Sequence, residues 1–72
     1  MKKQWIIYCY DFNEYFAGTY TYEGVIYLAT TNQMSEAKKY SSLKRATNIL
    51  EKFKAYKLEV MELEEEAEWF PK

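Results

Sequence analysis

The folds open to this chain are limited most by its lack of cross-links. Cys9 is the only cysteine among the 72 residues, and there is no histidine. One cysteine forms no disulfide within the chain, and a structural zinc site needs several cysteine or histidine ligands. A domain of this size buries only about 60% of its unfolded surface, so its core is thin. Aromatic packing, from the 19% of residues that are aromatic, or association with another chain must therefore stabilise it.

The first half of the sequence has the composition of a β-sheet. Residues 5–12, WIIYCYDF, are rich in aromatic and β-branched side chains and predict a strand with two apolar faces. Asn13 and Glu14 supply a turn, YFAGTY predicts the returning strand, and Gly18 within it marks a β-bulge. A second turn at TYEG leads to a third predicted strand at residues 25–29.

A polar segment and an amphipathic helix follow. Ser35 is in the position of an N-cap, which predicts one helical turn through Ala37 and Tyr40. Ser41 or Ser42 then caps the main helix. Its apolar residues recur at spacings of three and four and form one stripe, made of Leu43, Ala46, Ile49, Leu50 and Phe53. The opposite face carries Lys44, Arg45, Asn48, Glu51 and Lys52.

A last strand at residues 58–63 completes an α+β fold of order β-β-β-α-β. Its alternation is imperfect, which indicates a bulge or a strand with two apolar faces. We expect a small antiparallel sheet of three to four strands with one amphipathic helix packed on one face. Residues 1–63 are predicted to form a single domain, and residues 64–72 an acidic–aromatic C-terminal tail. No stretch approaches the roughly 20 apolar residues of a membrane span, so we expect a cytoplasmic protein with a reduced cysteine.

Charge is distributed unevenly along the chain. Residues 38–57 hold seven basic side chains and one acid, a net charge of +6, whereas residues 58–72 hold six glutamates and one lysine, a net charge of −5. One interpretation is that the glutamates attract the helix lysines. The other is that Lys44, Arg45 and Lys52 contact phosphates of a nucleic acid. The acidic end and the single arginine disfavour this second interpretation.

Two aromatic surfaces are candidate contacts for a protein partner. In the tail, the candidate residues are Glu64, Glu65, Glu66, Glu68, Trp69 and Phe70, where carboxylates precede two rings of the kind that anchor interfaces. The alternative is a solvated tail whose rings fold back onto the sheet. In the sheet, the candidates are Tyr8, Tyr10, Tyr20 and Tyr27, because one helix leaves the second face of a sheet uncovered. The net charge of −2 over residues 1–37 disfavours base stacking on this face.

Catalysis is disfavoured by the residues that are missing. Without histidine, the commonest general base and the usual partner of a nucleophile are absent. Two glycines are too few for a phosphate-binding loop, and Cys9 is predicted to be buried and inert. Asp11 and Glu14 flank a turn, and the glutamates at 64–66 are unspecific as metal ligands. We therefore expect no enzyme activity, no cofactor and no metal site.

The segments WIIYCYDFNEYFAG, ATTNQMSEAKKYSSLKRATNILEKF and YKLEVMELEEE together show a resemblance. Their order, with Ala37–Ser41 as an Ala-Lys-Lys-aromatic-Ser turn before the helix, resembles small, mostly uncharacterised accessory proteins of phages that infect Gram-positive bacteria. The resemblance implies a non-catalytic protein of the host cytoplasm that engages or inhibits a host or defence protein. A nucleic-acid-binding module and a homo-oligomeric structural protein are the alternatives, and a homodimer is compatible with each.

Overall fold

The computed structural model describes residues 3–64 and confirms the small α+β fold. Its elements are β1 (Lys3–Cys9), β2 (Glu14–Tyr22), β3 (Val25–Thr31), a 3-10 helix (Met34–Glu36), α1 (Leu43–Lys52) and β4 (Leu58–Glu64). The four strands form one antiparallel sheet in the order β3-β2-β1-β4. Helix α1 packs on one face of this sheet, chiefly across β1 and β4.

The hydrophobic core lies between α1 and the sheet. Its buried members are Ile7, Cys9, Phe16, Leu28, Ala46 and Phe53. Side chains alternate along a strand, so Ile7 and Cys9 face the helix while Ile6 points to the opposite face. Ile6 is nevertheless only 1% exposed. The middle of β1 is therefore buried on both faces, as its apolar sequence predicts.

Strand β4 pairs with β1 in an unbroken register, from Lys3 opposite Glu64 to Cys9 opposite Leu58. Its imperfect alternation thus reflects a strand with two apolar faces and no bulge. Leu58 packs against the core, whereas Met61 lies opposite Ile6 on the other face. Glu64, grouped with the tail in the sequence, is the last residue of this strand.

Strands β1 and β2 pair only beside the turn that joins them, at Tyr8–Tyr15 and Cys9–Glu14. Further along, residues 38–40 bridge the two strands. The Lys38 N–H donates to the Phe16 carbonyl at 2.9 Å. Tyr40 and Trp5 exchange two backbone hydrogen bonds, each 2.9 Å long.

This bridge overturns the predicted helical turn through Ala37 and Tyr40. The 3-10 helix covers Met34–Glu36, Ser35 lies inside it, and Gln33 occupies the N-cap position without a side-chain hydrogen bond. Ala37 is extended, and Tyr40 forms an antiparallel bridge with Trp5. Hydrogen bonds to a distant strand have replaced the local ones that a helical turn would need.

The first strand is also shorter than predicted, since β1 ends at Cys9 and residues 10–13 form the turn. Asn13, with φ of 55°, is in the left-handed region that asparagine tolerates. The Tyr10 N–H donates to the Lys57 carbonyl, and the Asp11 carboxylate accepts from the Lys57 N–H, both at 2.9 Å. These contacts with the loop before β4 hold residues 10 and 11 out of the strand.

Helix α1 agrees with the prediction in its cap and most of its apolar stripe. The Ser42 hydroxyl accepts a hydrogen bond from the Arg45 N–H at 3.4 Å, as an N-cap should. Ala46 is fully buried, and Phe53 is buried just beyond the last turn. Leu43 is the exception, because it is 51% exposed and lies outside the core. Within residues 3–64, no helix has the length and apolar character needed to cross a membrane.

Candidate functional site

A β-bulge at Gly18 determines which tyrosines share a face of the sheet. The register between β2 and β3 shifts between Phe16 and Gly18. Beyond a bulge of one residue, the side-chain alternation of the strand is reversed. Tyr20 therefore lies on the face away from α1, although its spacing from the buried Phe16 alone would place it in the core.

The pairing with β3 confirms this placement. Strand β3 has no bulge, so Tyr27 and Thr31 lie on one face and Leu28 on the other. Tyr15 is opposite Thr31 and Tyr20 is opposite Tyr27, and Leu28 belongs to the core beneath α1. Tyrosines before and after the bulge thus share the helix-free side.

We define the tyrosine face as the helix-free side of the sheet with its six rings: Tyr8, Tyr10, Tyr15, Tyr20, Tyr22 and Tyr27. The rings form two groups. Tyr8 meets Tyr10 and Tyr15 edge to face, with ring centroids 5.0 and 5.2 Å apart. Nearer the hairpin tip, Tyr20 stacks on Tyr27 at 5.5 Å with 24° between the ring planes.

Much of the tyrosine face is open to solvent. Tyr10, Tyr20, Tyr22 and Tyr27 are 38–61% exposed, and Val25, opposite Tyr22, is 51% exposed. Contiguous exposed apolar side chains of this kind often mark a site at which a protein binds another molecule. The stacked pair also restricts two side chains before any ligand binds, which lowers the entropy cost of binding.

The tyrosine face carries negative charge near one end. Of the charged strand residues within 3–63, Glu59 alone lies on this side, opposite Tyr8. The others lie on the side that α1 covers, namely Lys3, Glu14 and Glu62. The Tyr10 hydroxyl donates a hydrogen bond to the Glu59 carboxylate. This bond and the charge of the carboxylate raise the pKa of Tyr10, because a phenolate there would lose the bond and face a like charge.

The basic helix residues lie elsewhere. Lys44, Arg45 and Lys52 are exposed on α1, across the sheet from the tyrosine face. The ion pairs within residues 3–64 are Lys3–Glu62 at 3.2 Å and Glu51–Lys54 at 3.7 Å. Neither joins a helix lysine to β4, so the expected attraction between these two elements is not seen in the described part of the chain.

Most of the acidic–aromatic end lies outside the described residues. This applies to Glu65, Glu66, Glu68, Trp69 and Phe70. Glu64 alone is placed, at the end of β4 and opposite Lys3.

Among the groups considered for chemistry, Cys9 is buried, and Asp11 and Glu14 have hydrogen-bond partners. Cys9 is fully buried, as predicted. Asp11 accepts from the Lys57 backbone, and Glu14 accepts from the Thr30 hydroxyl at 2.6 Å. Within residues 3–64, no group of three or more His, Cys, Asp or Glu side chains could hold a metal ion.

Sequence reasoning named four of the six tyrosines of this face and left out Tyr15 and Tyr22. The bulge at Gly18 could have placed Tyr22, since it sets the face of every later residue of β2. Tyr15 lies before the bulge, and its face follows from its pairing with Tyr8. Comparisons with protein families, with curated proteins and with solved structures find no match to this chain.

Proposed function

We propose that this chain is a non-catalytic binding protein that recognises a protein partner through its tyrosine face. The supporting observation is the exposure of Tyr20, Tyr22 and Tyr27 on a sheet face that α1 does not cover. Tyrosine is enriched in protein interfaces because it buries a large area with few rotatable bonds and keeps a hydroxyl for hydrogen bonding.

A protein suits this face better than a nucleic acid does. Single-stranded nucleic acids bind where aromatic rings lie beside basic residues that contact the phosphates. Within residues 3–64, the strand residues of the tyrosine face include no basic side chain and one acid, Glu59. The cations of α1, which would serve the alternative function, lie on the other side of the sheet.

The setting we propose follows from the resemblance to phage accessory proteins. The protein would act in the cytoplasm of a Gram-positive host and would engage or inhibit a host or defence protein. The acidic–aromatic end of the chain is a second candidate contact, because carboxylates next to aromatic rings suit a basic groove with apolar pockets.

The experiment compares two triple variants of the full chain. In the first, Tyr20, Tyr22 and Tyr27 are replaced by Ser. In the matched control, Lys44, Arg45 and Lys52 are replaced by Ser. A partner captured from a Gram-positive lysate is purified, and its affinity for each variant is measured by calorimetry. Circular dichroism verifies that both variants fold.

We expect the tyrosine variant to bind at least 30-fold more weakly, since loss of one interface hot spot costs about 2 kcal/mol. The control should bind within threefold of the original chain. Equal affinity of the tyrosine variant would refute the proposal. Binding of oligonucleotides that weakens steeply with salt and is lost in the control variant would establish the nucleic-acid alternative instead.

The acidic–aromatic end is tested separately with a chain that stops at Glu64. A tenfold or greater loss of affinity for the same partner would assign the end a direct contact. Unchanged affinity would restrict recognition to the folded sheet.

A further inference from the structure

The two outer strands of the sheet differ in their protection against pairing with another chain. Strand β4 contains three glutamates, and charged side chains discourage pairing at a sheet edge. Strand β3, VIYLATT, contains neither a charged residue nor proline. It is also free of bulges, and Val25 and Ile26 are 51% and 57% exposed. An exposed apolar edge of this kind is a template for strand addition.

The hairpin turn determines which backbone groups of β3 point outward. Glu23 and Gly24 link Tyr22 to Val25, and both have positive φ, 51° and 79°, as a type I′ turn requires. The residues that flank such a turn form a hydrogen-bonded pair, so Val25 directs its N–H and C=O toward β2. Because the direction alternates, the outward groups belong to Ile26, Leu28 and Thr30.

We propose that β3 pairs antiparallel with β3 of a second copy of this chain, with Leu28 on the two-fold axis. An axis at Leu28 gives the greatest overlap, since Leu28 is the middle residue of Val25–Thr31. It also brings together residues whose hydrogen-bonding groups point outward, with Leu28 opposite the partner's Leu28 and Ile26 opposite the partner's Thr30. These pairs allow about six backbone hydrogen bonds across the interface.

The side chains of β3 are complementary to themselves in this register. The larger residues Ile26 and Tyr27 precede the central Leu28, and the smaller residues Ala29 and Thr30 follow it. Antiparallel pairing about the centre sets Ile26 and Tyr27 opposite these smaller residues, while the two Leu28 side chains meet at the axis. Tyr27 faces the partner's Ala29, and Val25 faces the partner's Thr31.

Charge favours a second copy at this edge of the sheet. An uncharged strand can meet itself without repulsion, whereas self-pairing of β4 would bring glutamates of both copies together. Helix α1 lies chiefly over β1 and β4, at the far side of the sheet from β3, so the helices of two copies do not obstruct the pairing. The dimer has one eight-stranded sheet, and its two tyrosine faces form one continuous surface. This inference is independent of what the tyrosine face binds.

The register is tested by disulfide trapping. Tyr27→Cys is made in one preparation and Ala29→Cys in another. In the proposed register these two positions form a pair without mutual hydrogen bonds, whose Cα atoms lie about 4.5 Å apart, a distance that suits a disulfide. The buried Cys9 does not compete. Under mild oxidation, the mixture should form at least tenfold more covalent dimer than either preparation alone. Equal trapping in all three samples, or none in the mixture, would overturn the proposed register.

The interface is tested without cysteine by sedimentation of the full chain across micromolar to millimolar concentrations. We expect a reversible dimer. Ile26→Lys should raise its dissociation constant at least tenfold, whereas Met61→Lys, on the other sheet edge, should leave it within twofold. A monomer at every concentration would refute the dimer and leave the edge to a partner peptide. A dimer that Ile26→Lys leaves intact, or that Met61→Lys disrupts, would place the interface elsewhere.

Discussion

The replacement of Gly18 by alanine tests whether the bulge depends on backbone conformation alone. Gly18 has φ of 141°, in a region that L-amino acids rarely adopt. Among residues 3–64, no heavy atom other than those of Gly18 and its two chain neighbours lies within 4 Å of the position that a Cβ would take, so the methyl group meets no obstacle there. The cost is therefore conformational, about 1–3 kcal/mol, partly offset because alanine also has less freedom in the unfolded chain. We expect a net loss of about 1–2 kcal/mol, or a Tm lower by roughly 4–16 °C.

Thermal and urea unfolding measure this loss, and D-alanine at the same position is the matched control. A D-residue favours positive φ, so the synthetic D-alanine chain should retain the original stability or exceed it by about 0.5 kcal/mol. If L- and D-alanine destabilise the chain equally, the cost is steric and our reasoning is wrong. If Gly18→Ala is as stable as the original chain, the bulge does not require the positive φ.

Three further predictions concern the cap, a hydrogen bond and the core. Ser42→Ala should cost about 1 kcal/mol in urea unfolding by removing the N-cap of α1, while Ser41→Ala should stay within about 0.5 kcal/mol. The hydrogen bond to Glu59 raises the pKa of Tyr10 above its ordinary 10.0, so this stabilisation is complete below pH 10 and is lost as pH rises through the folded-state pKa. Tyr10→Phe should therefore lose less stability than the original chain on titration from pH 9 to 12, and parallel unfolding curves would contradict this. Ile6→Ala should cost about 2–5 kcal/mol in the same assay although Ile6 lies outside the main core, and a cost below 1 kcal/mol would show that its burial contributes little.

The elements that the sequence predicts correctly are those fixed by local chemistry. Ser42 caps α1 where the apolar spacing begins, and Glu23–Gly24 turns the β2–β3 hairpin. Gly18 marks the bulge. In each case one or two residues determine the local structure. Ser42 does so through its hydroxyl, and Gly18 and Gly24 do so because glycine readily adopts positive φ.

The elements that were predicted wrongly depend on contacts with distant residues. Residues 37–40 have the composition of a helical turn, yet Tyr40 pairs with Trp5 across the fold. The first strand stops at Cys9 because the backbone of Lys57 bonds residues 10 and 11. Which tyrosines belong to the tyrosine face depends on the register of β2 with β3, and no single segment of the sequence specifies that register.

The pairing of β1 with β4 has a consequence for how the chain folds during synthesis. The β2–β3 hairpin is local and can close within microseconds once its residues are available. Strand β1 is made first, yet its longest ladder joins it to β4, and Lys3 meets Glu64 across almost the whole described chain. On the ribosome, the apolar strand containing Ile6 and Ile7 must therefore wait for residues 58–64 to emerge before its second edge is covered. During that interval its uncovered edge is open to chaperones and to aggregation.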